Sequence, residues 1–306
     1  MPTLIDLGDG QRLDADFHLS EMERVECEES LATFLRYAWR ICGTGSASYV
    51  HGWVVDAIAE HLEAIVDGDI RNLLINIPPR CLKSTLCSVV LPAFVWAQEA
   101  RTHTSGPGVR FMFSSYSHSF AIRDSVARRR LIKSTWYRNK WGGRFNIVAD
   151  QDQKVRFSND QGGVSLITGI ESGTTGEGFD ILVVDDANSA TEMLSEATIT
   201  ATNETWWDGS MSTRMNDPKK SARISVQQRL GELDLTGHIL EKHSDEEWVH
   251  LCLPMEFEKG RSFVTSIGWQ DPRKKEGELL WPERFGYAEV RKIEKSLLKW
   301  RAAGQL

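Results

Sequence analysis

Hydrophobic and polar positions in the middle of the chain follow two periods, one typical of helices and one typical of buried strands. In residues 54–66, apolar side chains recur at spacings of three or four, which predicts an amphipathic helix ended by Asp67-Gly68. Residues 73–77 form a short apolar run before Pro78-Pro79, as expected for a buried parallel strand. A helix and a strand are therefore predicted in direct succession.

The same alternation continues to residue 253. We predict further strands at 111–114, 181–184, 222–227 and 249–253, helices at 84–99, 119–132 and 195–207, and a hairpin of 155–157 and 164–167. Pro92 should kink the first of these helices. Strands that alternate with helices favour an α/β fold with a mainly parallel central sheet and helices on both faces.

The two ends of the chain differ from this middle. Residues 1–30 are acidic and aperiodic, so we predict a solvated N-terminal arm, with ordered structure from about Leu31. After Pro254 the composition becomes polar, and a last amphipathic stretch covers residues 287–300. The predicted organisation is an arm (1–30), a core (31–255) and a connecting segment (256–306).

Composition and charge narrow the class of protein. With 306 residues, of which 41% are hydrophobic and 26% charged, the chain has the balance of a globular protein. No apolar run suits a membrane span or a signal peptide, and the five cysteines lack zinc spacing, so we expect a reducing cytosol. The net charge of −7 argues against a passive DNA coat protein but leaves brief, local DNA contact open.

Residues 77–85 (IPPRCLKST) carry features of a phosphate-binding loop. A strand leads into a turn, Lys83 can reach the β and γ phosphates of ATP, and the Ser84 hydroxyl can bind Mg²⁺. The glycines of the common pattern are replaced by Ile77 and Leu82, and a positive φ at Leu82 would cost about 1 to 2 kcal/mol. Taken alone, this loop could also connect an unrelated strand and helix. The nucleotide-binding positions would be Pro79, Arg80, Cys81, Leu82, Lys83, Ser84 and Thr85.

Two further polar motifs follow apolar strands. The strand at 181–184 ends in Asp185 and Asp186, an order that suits one carboxylate on Mg²⁺ and a second near the attacking water. Gln227-Gln228-Arg229 follows the strand at 222–227 and could sense the γ-phosphate. Paired acids also end ordinary strands, and Arg229 could form a surface ion pair. Together with the loop, however, these motifs predict an ATPase that uses ATP and Mg²⁺.

In chain order, the segments IPPRCLKST, FSSYSHSFAIRDS, GEGFDILVVDDA and QQRLGELDLTGHIL resemble the large terminase subunits of tailed bacteriophages, as does GELLWPERF near the end. The resemblance runs from about Leu31 to Leu306. It implies a P-loop ATPase of the additional-strand class that translocates double-stranded viral DNA into a prohead in the cytoplasm of an infected bacterium, without entering the mature virion. The implied partners are double-stranded DNA, the portal protein, the small terminase subunit and further copies of the chain, monomeric in isolation and pentameric on the prohead.

The resemblance also implies roles for single residues. Asp185 would hold Mg²⁺ together with Ser84. Arg80 would be a second phosphate contact, supplied by the same chain that binds the nucleotide. Asp186 would be the catalytic carboxylate, with Glu192 as its substitute if the shorter aspartate cannot reach the water.

Other implied roles concern nucleotide sensing. Gln227 or Gln228 would couple the γ-phosphate to movement, and residues 49–53 would contact adenine. Glu177 stands where relatives commonly carry a basic residue, so Arg214 and Arg229 are the candidates for an arginine finger.

For DNA, we single out a basic patch on the helix at 119–132, with weaker candidates at Lys219-Lys220 and 273–275. Charge runs are usually solvated faces, so a purely structural role stays open. Its residues are Arg123, Arg128, Arg129, Arg130 and Lys133.

Two other functions remain open. A helicase or remodelling ATPase would need a second motor domain or unwinding motifs, which the sequence lacks, and a decayed loop would leave a non-catalytic nucleotide-binding protein. Nuclease activity is not expected, because the chain stops where relatives continue into a nuclease domain.

Overall fold

The computed structural model of the chain describes residues 4–6, 12–43, 48–170, 176–261 and 264–297. Its strands are β1 (Leu4–Asp6), β2 (Arg12–Asp14), β3 (Asn72–Asn76), β4 (Arg110–Ser115), β5 (Ile147–Asp152), β6 (Arg156–Asn159), β7 (Val164–Gly169), β8 (Ile181–Asp185), β9 (Ala222–Gln227) and β10 (Trp248–Cys252). Its α-helices are α1 (Ala15–Glu29), α2 (Leu31–Cys42), α3 (Trp53–Asp67), α4 (Leu91–Ala97), α5 (His118–Lys133), α6 (Thr135–Trp141), α7 (Glu196–Thr200), α8 (Leu235–Lys242) and α9 (Tyr287–Leu297). Thr85–Val90 and Ala201–Asp208 are π-helical, and Glu192–Leu194, Met211–Thr213 and Lys259–Arg261 are 3₁₀ turns.

One sheet of eight strands organises the described part of the chain, in the order β10-β3-β9-β8-β4-β7-β6-β5. Every neighbouring pair from β10 to β7 is parallel, and β6 and β5 extend the sheet antiparallel at one edge. The predicted parallel sheet and the predicted hairpin, now β6 and β7, are confirmed. Because β3, β9 and β8 are parallel neighbours, their carboxyl ends lie side by side at the same end of the strands.

Alternate residues of the strands face two different cores, as the two-residue period of a strand requires. Leu73 and Ile75 of β3 pack into a core shared with α2, α3, α4, α5 and α6. Leu74, between them, belongs to a second core with Trp206, Trp207 and α8. The expectation of helices on both faces is therefore confirmed.

The acidic segment before Leu31 differs from the expected solvated arm. Residues 15–29 form helix α1, and Cys27 on this helix is buried. The carboxylates of Glu23 and Glu28 accept hydrogen bonds from the indole N–H groups of Trp136 and Trp141. Sequence alone indicates solvated acids here, because the tryptophans that bind them lie more than a hundred residues away and leave no local pattern.

The predicted helix at 84–99 is divided rather than simply kinked. A π-helical segment, Thr85–Val90, precedes α4, and Pro92 lies in the first turn of α4. Proline fits there because the first turn of a helix needs no N–H donor at that position. The structure also adds α6, β5 and α8, which the sequence patterns did not predict.

The last amphipathic stretch forms α9, and residues 298–300 of the prediction lie outside the described part. Among the helices that the structure describes, none is long and apolar enough to cross a membrane.

Candidate phosphate-binding site

The loop after β3 and the acids after β8 meet directly. The ammonium of Lys83 donates to Oδ1 of Asp186, although β3 and β8, the strands that precede these two residues, are separated by β9. Lys83 is only 7% exposed, so a large part of its charge interacts with protein rather than with water. The backbone N–H of Gln228, just beyond β9, approaches the same Oδ1 at 3.3 Å. The structure thus brings residues of all three predicted motifs together.

The backbone at this site is locally strained. Arg80, Leu82 and Asp186 have φ angles of 66°, 62° and 51°, in the left-handed region that suits glycine. The positive φ that a phosphate loop could require at Leu82 is thus observed. Each such residue costs about 1 to 2 kcal/mol, and strain of this kind collects at functional sites. Leu82 is held there because its side chain packs against the main core.

The remaining residues of the predicted loop differ in exposure. Pro79 and Arg80 are exposed, whereas Cys81 is buried. Ser84 and Thr85 are half-buried and line the same cavity as Lys83.

Asp185 has an environment that suits a bound cation. Its side chain is 7% exposed, Ser88 Oγ donates to Oδ2 at 3.3 Å, and Oδ1 has no hydrogen-bond partner within the described chain. Burial, followed by the charge of Asp186, raises the pKa of Asp185 to about 7, while Lys83 and the Ser84 hydroxyl act in the opposite direction. A buried carboxylate with a hydroxyl beside it fits Mg²⁺, which prefers oxygen ligands.

Gln227, at the end of β9, is buried, and neither its amide oxygen nor its amide nitrogen has a partner among the described residues. Its backbone carbonyl accepts from Ile77 N and from Asn76 Nδ2, both at 3.2 Å. Buried polar atoms are normally paired, so this free amide needs an explanation. A ligand at the strand ends would provide one.

A cavity of about 790 Å³ lies beside the loop and is rich in cations. Arg80 and Arg130 line it, are exposed, and make no hydrogen bond or ion pair with any described residue. The acid in its lining, Asp124, already pairs with Arg123 at 2.8 Å. Such a set of free guanidinium groups favours an anionic ligand.

Arg284 also lines this cavity, and sequence reasoning missed it. The guanidinium lies 5.0 Å from the ring centre of Trp281, whose indole approaches the His51 carbonyl at 3.4 Å. Residues 49–53, the predicted adenine segment, therefore lie close to one side of the cavity. The available signal is the GELLWPERF segment, which contains Arg284.

The predicted DNA patch on α5 is not one surface. Arg128 is 1% exposed, donates to the Ser88 carbonyl at 2.7 Å and lies 3.5 Å from the ring centre of Phe113, so its assignment to DNA was wrong. Arg129 and Lys133 both pair with Asp152. Arg123 and Arg130 instead line the cavity beside the loop.

Two candidate catalytic residues have local partners. Glu192 accepts from Ser189 N at 2.7 Å and so helps to begin its own short turn. Arg229 donates to Asp234 at 3.0 Å, and Asp234 is fully buried at the start of α8. The alternative of an ion pair for Arg229 is thus the one observed, with a buried partner.

Three other candidates are placed as follows. Arg273 is buried against Asp271, which removes it from the weaker DNA patch. Glu177 pairs with Arg110 and Arg156, while Thr174 and Thr175, just before it in the sequence, lie outside the described residues. Arg214 has a buried Nε without a partner in the described chain.

Comparisons with known proteins identify no family for the chain. No family model matches it, and no curated protein matches it. Among solved structures, the chain is similar to the large terminase of bacteriophage HK97, with 14% sequence identity and a TM-score of 0.47. The match covers 76% of this chain and 46% of that protein, so the chain spans less than half of its length. Similarity at this level does not indicate which residues act.

Proposed function

We propose that this chain is an ATPase that binds ATP and Mg²⁺ at the phosphate loop and serves as the motor of a DNA-packaging machine. The observation that carries the ATPase proposal is the contact of Lys83 with Asp186, beside the buried Asp185. DNA packaging rests on the resemblance of four successive motifs to large terminase subunits. Double-stranded DNA, the portal protein, the small terminase subunit and a pentameric ring belong to this same proposal.

The strand order supports the additional-strand class of P-loop ATPases. In that class a further strand separates the strand of the phosphate loop from the strand of the acidic motif. Here β9 lies between β3 and β8 and ends at Gln227, whose amide is free. Gln227 rather than Gln228 is therefore the proposed γ-phosphate sensor.

The loop residues would bind the nucleotide. Lys83 and Arg80 would neutralise phosphate oxygens, and Ser84 and Asp185 would hold Mg²⁺. Bound ATP and Mg²⁺ would supply the phosphoanhydride bond and the charge that polarises it.

Asp186 is the better candidate for activating water. Phosphate oxygens compete for Lys83, so a nucleotide would release the Asp186 carboxylate, and its Oδ1 could then take a proton from water. Glu192, by contrast, is already held by its own turn. We therefore retain Asp186 and keep Glu192 as the alternative.

The ATPase proposal is tested by Mg²⁺-dependent phosphate release. We expect Lys83→Ala to lose at least about 100-fold in rate, because the phosphates lose their buried cation. The matched control is Lys140→Ala. Lys140 is likewise a lysine with a largely buried side chain beside a carboxylate, that of Glu23 at 3.7 Å, but it lies in α6, outside the site. Equal rates in Lys83→Ala and Lys140→Ala would contradict the proposal.

Two more variants separate the acids. Asp186→Asn should lose roughly 100-fold or more and Glu192→Gln less than about threefold. A reversed order would make Glu192 the base.

If wild type binds a fluorescent ATP analogue only with Mg²⁺ but releases no phosphate, the chain is a non-catalytic nucleotide-binding protein.

The motor proposal needs a separate measurement. Linear double-stranded DNA should raise the rate of phosphate release, and the effect should weaken with salt because contacts to the DNA backbone release counterions. Hydrolysis that depends on Lys83 but is unaffected by DNA at low salt would leave the ATPase in place and contradict the motor.

A further inference from the structure

Three side chains far apart in sequence converge on one point beside α8. Asp208 ends the π-helical segment, His238 lies in α8, and His243 follows its last turn. His238 Nε2 is 3.1 and 3.0 Å from the two carboxylate oxygens of Asp208, and His243 Nε2 is 2.8 Å from Oδ1. The ligand atoms of all three lie within 4.8 Å of one another.

A second layer of side chains orients this cluster. His243 Nδ1 lies 3.2 Å from Oε1 of Glu246. Glu246 in turn accepts from Arg223 at 2.6 Å and from the indole N–H of Trp248 at 3.2 Å. A histidine whose outer nitrogen faces a carboxylate is the usual arrangement around a bound metal, because that contact fixes the tautomer and the ring orientation.

The surroundings of His243 suit a metal ligand whose second nitrogen is held by a carboxylate. Both of its ring nitrogens face carboxylate oxygens, which can only accept hydrogen bonds. With a cation on Nε2, a neutral ring donates its Nδ1–H to Glu246, and Asp208 becomes a ligand.

We propose that Asp208, His238 and His243 bind a divalent transition metal ion, with Zn²⁺ as the best fit. Two imidazoles and one carboxylate suit Zn²⁺, whereas Mg²⁺ and Ca²⁺ prefer oxygen ligands throughout. Zinc–ligand bonds near 2.0–2.1 Å place tetrahedral ligand atoms about 3.3 Å apart, so the two aspartate–histidine spacings would change by only a few tenths of an ångström. Asp208 is 36% exposed in its side chain, which leaves water access to a further coordination position.

The metal site is separate from the phosphate site. Arg223 and Trp248, which hold Glu246, lie at the beginnings of β9 and β10. Lys83 and Asp186 follow the carboxyl ends of parallel strands, at the opposite edge of the same sheet. The ion would join the π-helical segment to α8 and hold both against the second core.

The test uses the full chain after dialysis against a chelator. We expect it to bind one equivalent of Zn²⁺, to give the intense visible bands of four-coordinate Co²⁺, and to melt about 3 °C or more higher with excess Zn²⁺. Asp208→Asn keeps the side-chain shape and should bind Zn²⁺ at least about 10-fold more weakly, as should His243→Ala and Glu246→Gln. Circular dichroism checks that each variant is folded.

The matched control is His103→Ala. It also removes a histidine that faces one carboxylate, Asp180 at 3.1 Å, but it leaves the cluster intact and should bind Zn²⁺ like wild type. Failure of wild type to bind one equivalent, or equal affinity in Asp208→Asn and wild type, would show that the cluster is only a set of ion pairs. Loss of binding in Asp185→Asn instead would place the zinc at the phosphate site.

Discussion

Single residues explain how the phosphate loop forms without glycine. Arg80 and Leu82 adopt left-handed backbone angles, and only Leu82 has a side chain that packs against the core. The spacing to Lys83 identifies Leu82 as the position where a positive φ could be required. The second left-handed residue, Arg80, could not, because arginine carries no local signal for this conformation.

A pair of substitutions at Arg80 isolates the strain. Both Arg80→Ala and Arg80→Gly remove the exposed guanidinium, but only glycine lacks the Cβ that disfavours a φ of 66°. We expect the glycine variant to be more stable than the alanine variant by about 1 kcal/mol in urea unfolding. Both variants should bind a fluorescent ATP analogue more weakly than wild type. Equal stability of the two would mean that the loop is not strained at Arg80.

The free amide of Gln227 gives a second prediction at this scale. Gln227→Met removes two buried polar atoms without partners, so the free energy of unfolding should rise by about 1 kcal/mol while phosphate release falls. The matched control is Gln98→Met. Gln98 is equally buried but donates to the Glu28 carbonyl at 3.0 Å, so its loss should destabilise by about 1 to 3 kcal/mol. Similar losses at both positions would show that Gln227 has partners of its own.

Whole elements were predicted better than the direction in which their side chains point. The pattern placed α5 within a residue of its observed bounds, yet one of its arginines, Arg128, is buried beneath the helix. Helical periodicity treats arginine as a polar residue and therefore predicts that its side chain points towards solvent. Only the tertiary structure supplies the Phe113 ring and the Ser88 carbonyl that make burial of this charge possible.

The packing of α3 on the start of α2 predicts a dependence of stability on pH. Burial raises the pKa of Glu63 to about 7 from an ordinary value of 4.5, and the N–H of Leu31 opposes this only in part. The folded state therefore keeps a proton that the unfolded chain loses, so this contribution to stability is complete below pH 4.5 and is lost as the pH rises through about 7.

Unfolding of Glu63→Gln at pH 5 and pH 8 tests this. The variant cannot lose the proton, so its stability relative to wild type should increase from pH 5 to pH 8. Glu99→Gln changes an exposed acid that lines the same surface cavity as Glu63, and this variant should keep the dependence of wild type. A constant difference between Glu63→Gln and wild type would contradict the buried, protonated state.

At the scale of the molecule, the parallel sheet could be predicted but its strand order could not. Alternating strands and helices indicate a sheet, and each motif follows a strand. The position of β9 between β3 and β8 depends on crossovers that leave no local pattern. The cluster of Asp208, His238 and His243 was missed for the same reason, since its members become neighbours only when α8 returns across the sheet.

Assembly is the remaining prediction at this scale. We expect the isolated chain to elute as a monomer in sizing chromatography and to hydrolyse ATP slowly, because Arg229, two residues beyond Gln227, is held by Asp234 and a neighbouring chain would have to supply an arginine. Its rate per chain should rise with protein concentration if copies associate. A fully active monomer, with and without ATP, would contradict the ring.

The contact between Lys83 and Asp186 gives this lysine a partner within the chain, which a bound anion would have to replace. An anion that binds here must displace the Asp186 carboxylate from the Lys83 ammonium, so a single phosphate group should bind weakly. A triphosphate offers several oxygens to several cations and can outweigh that loss. In the proposed ATPase, the same carboxylate would bind the lysine again after each turnover and so favour release of the products.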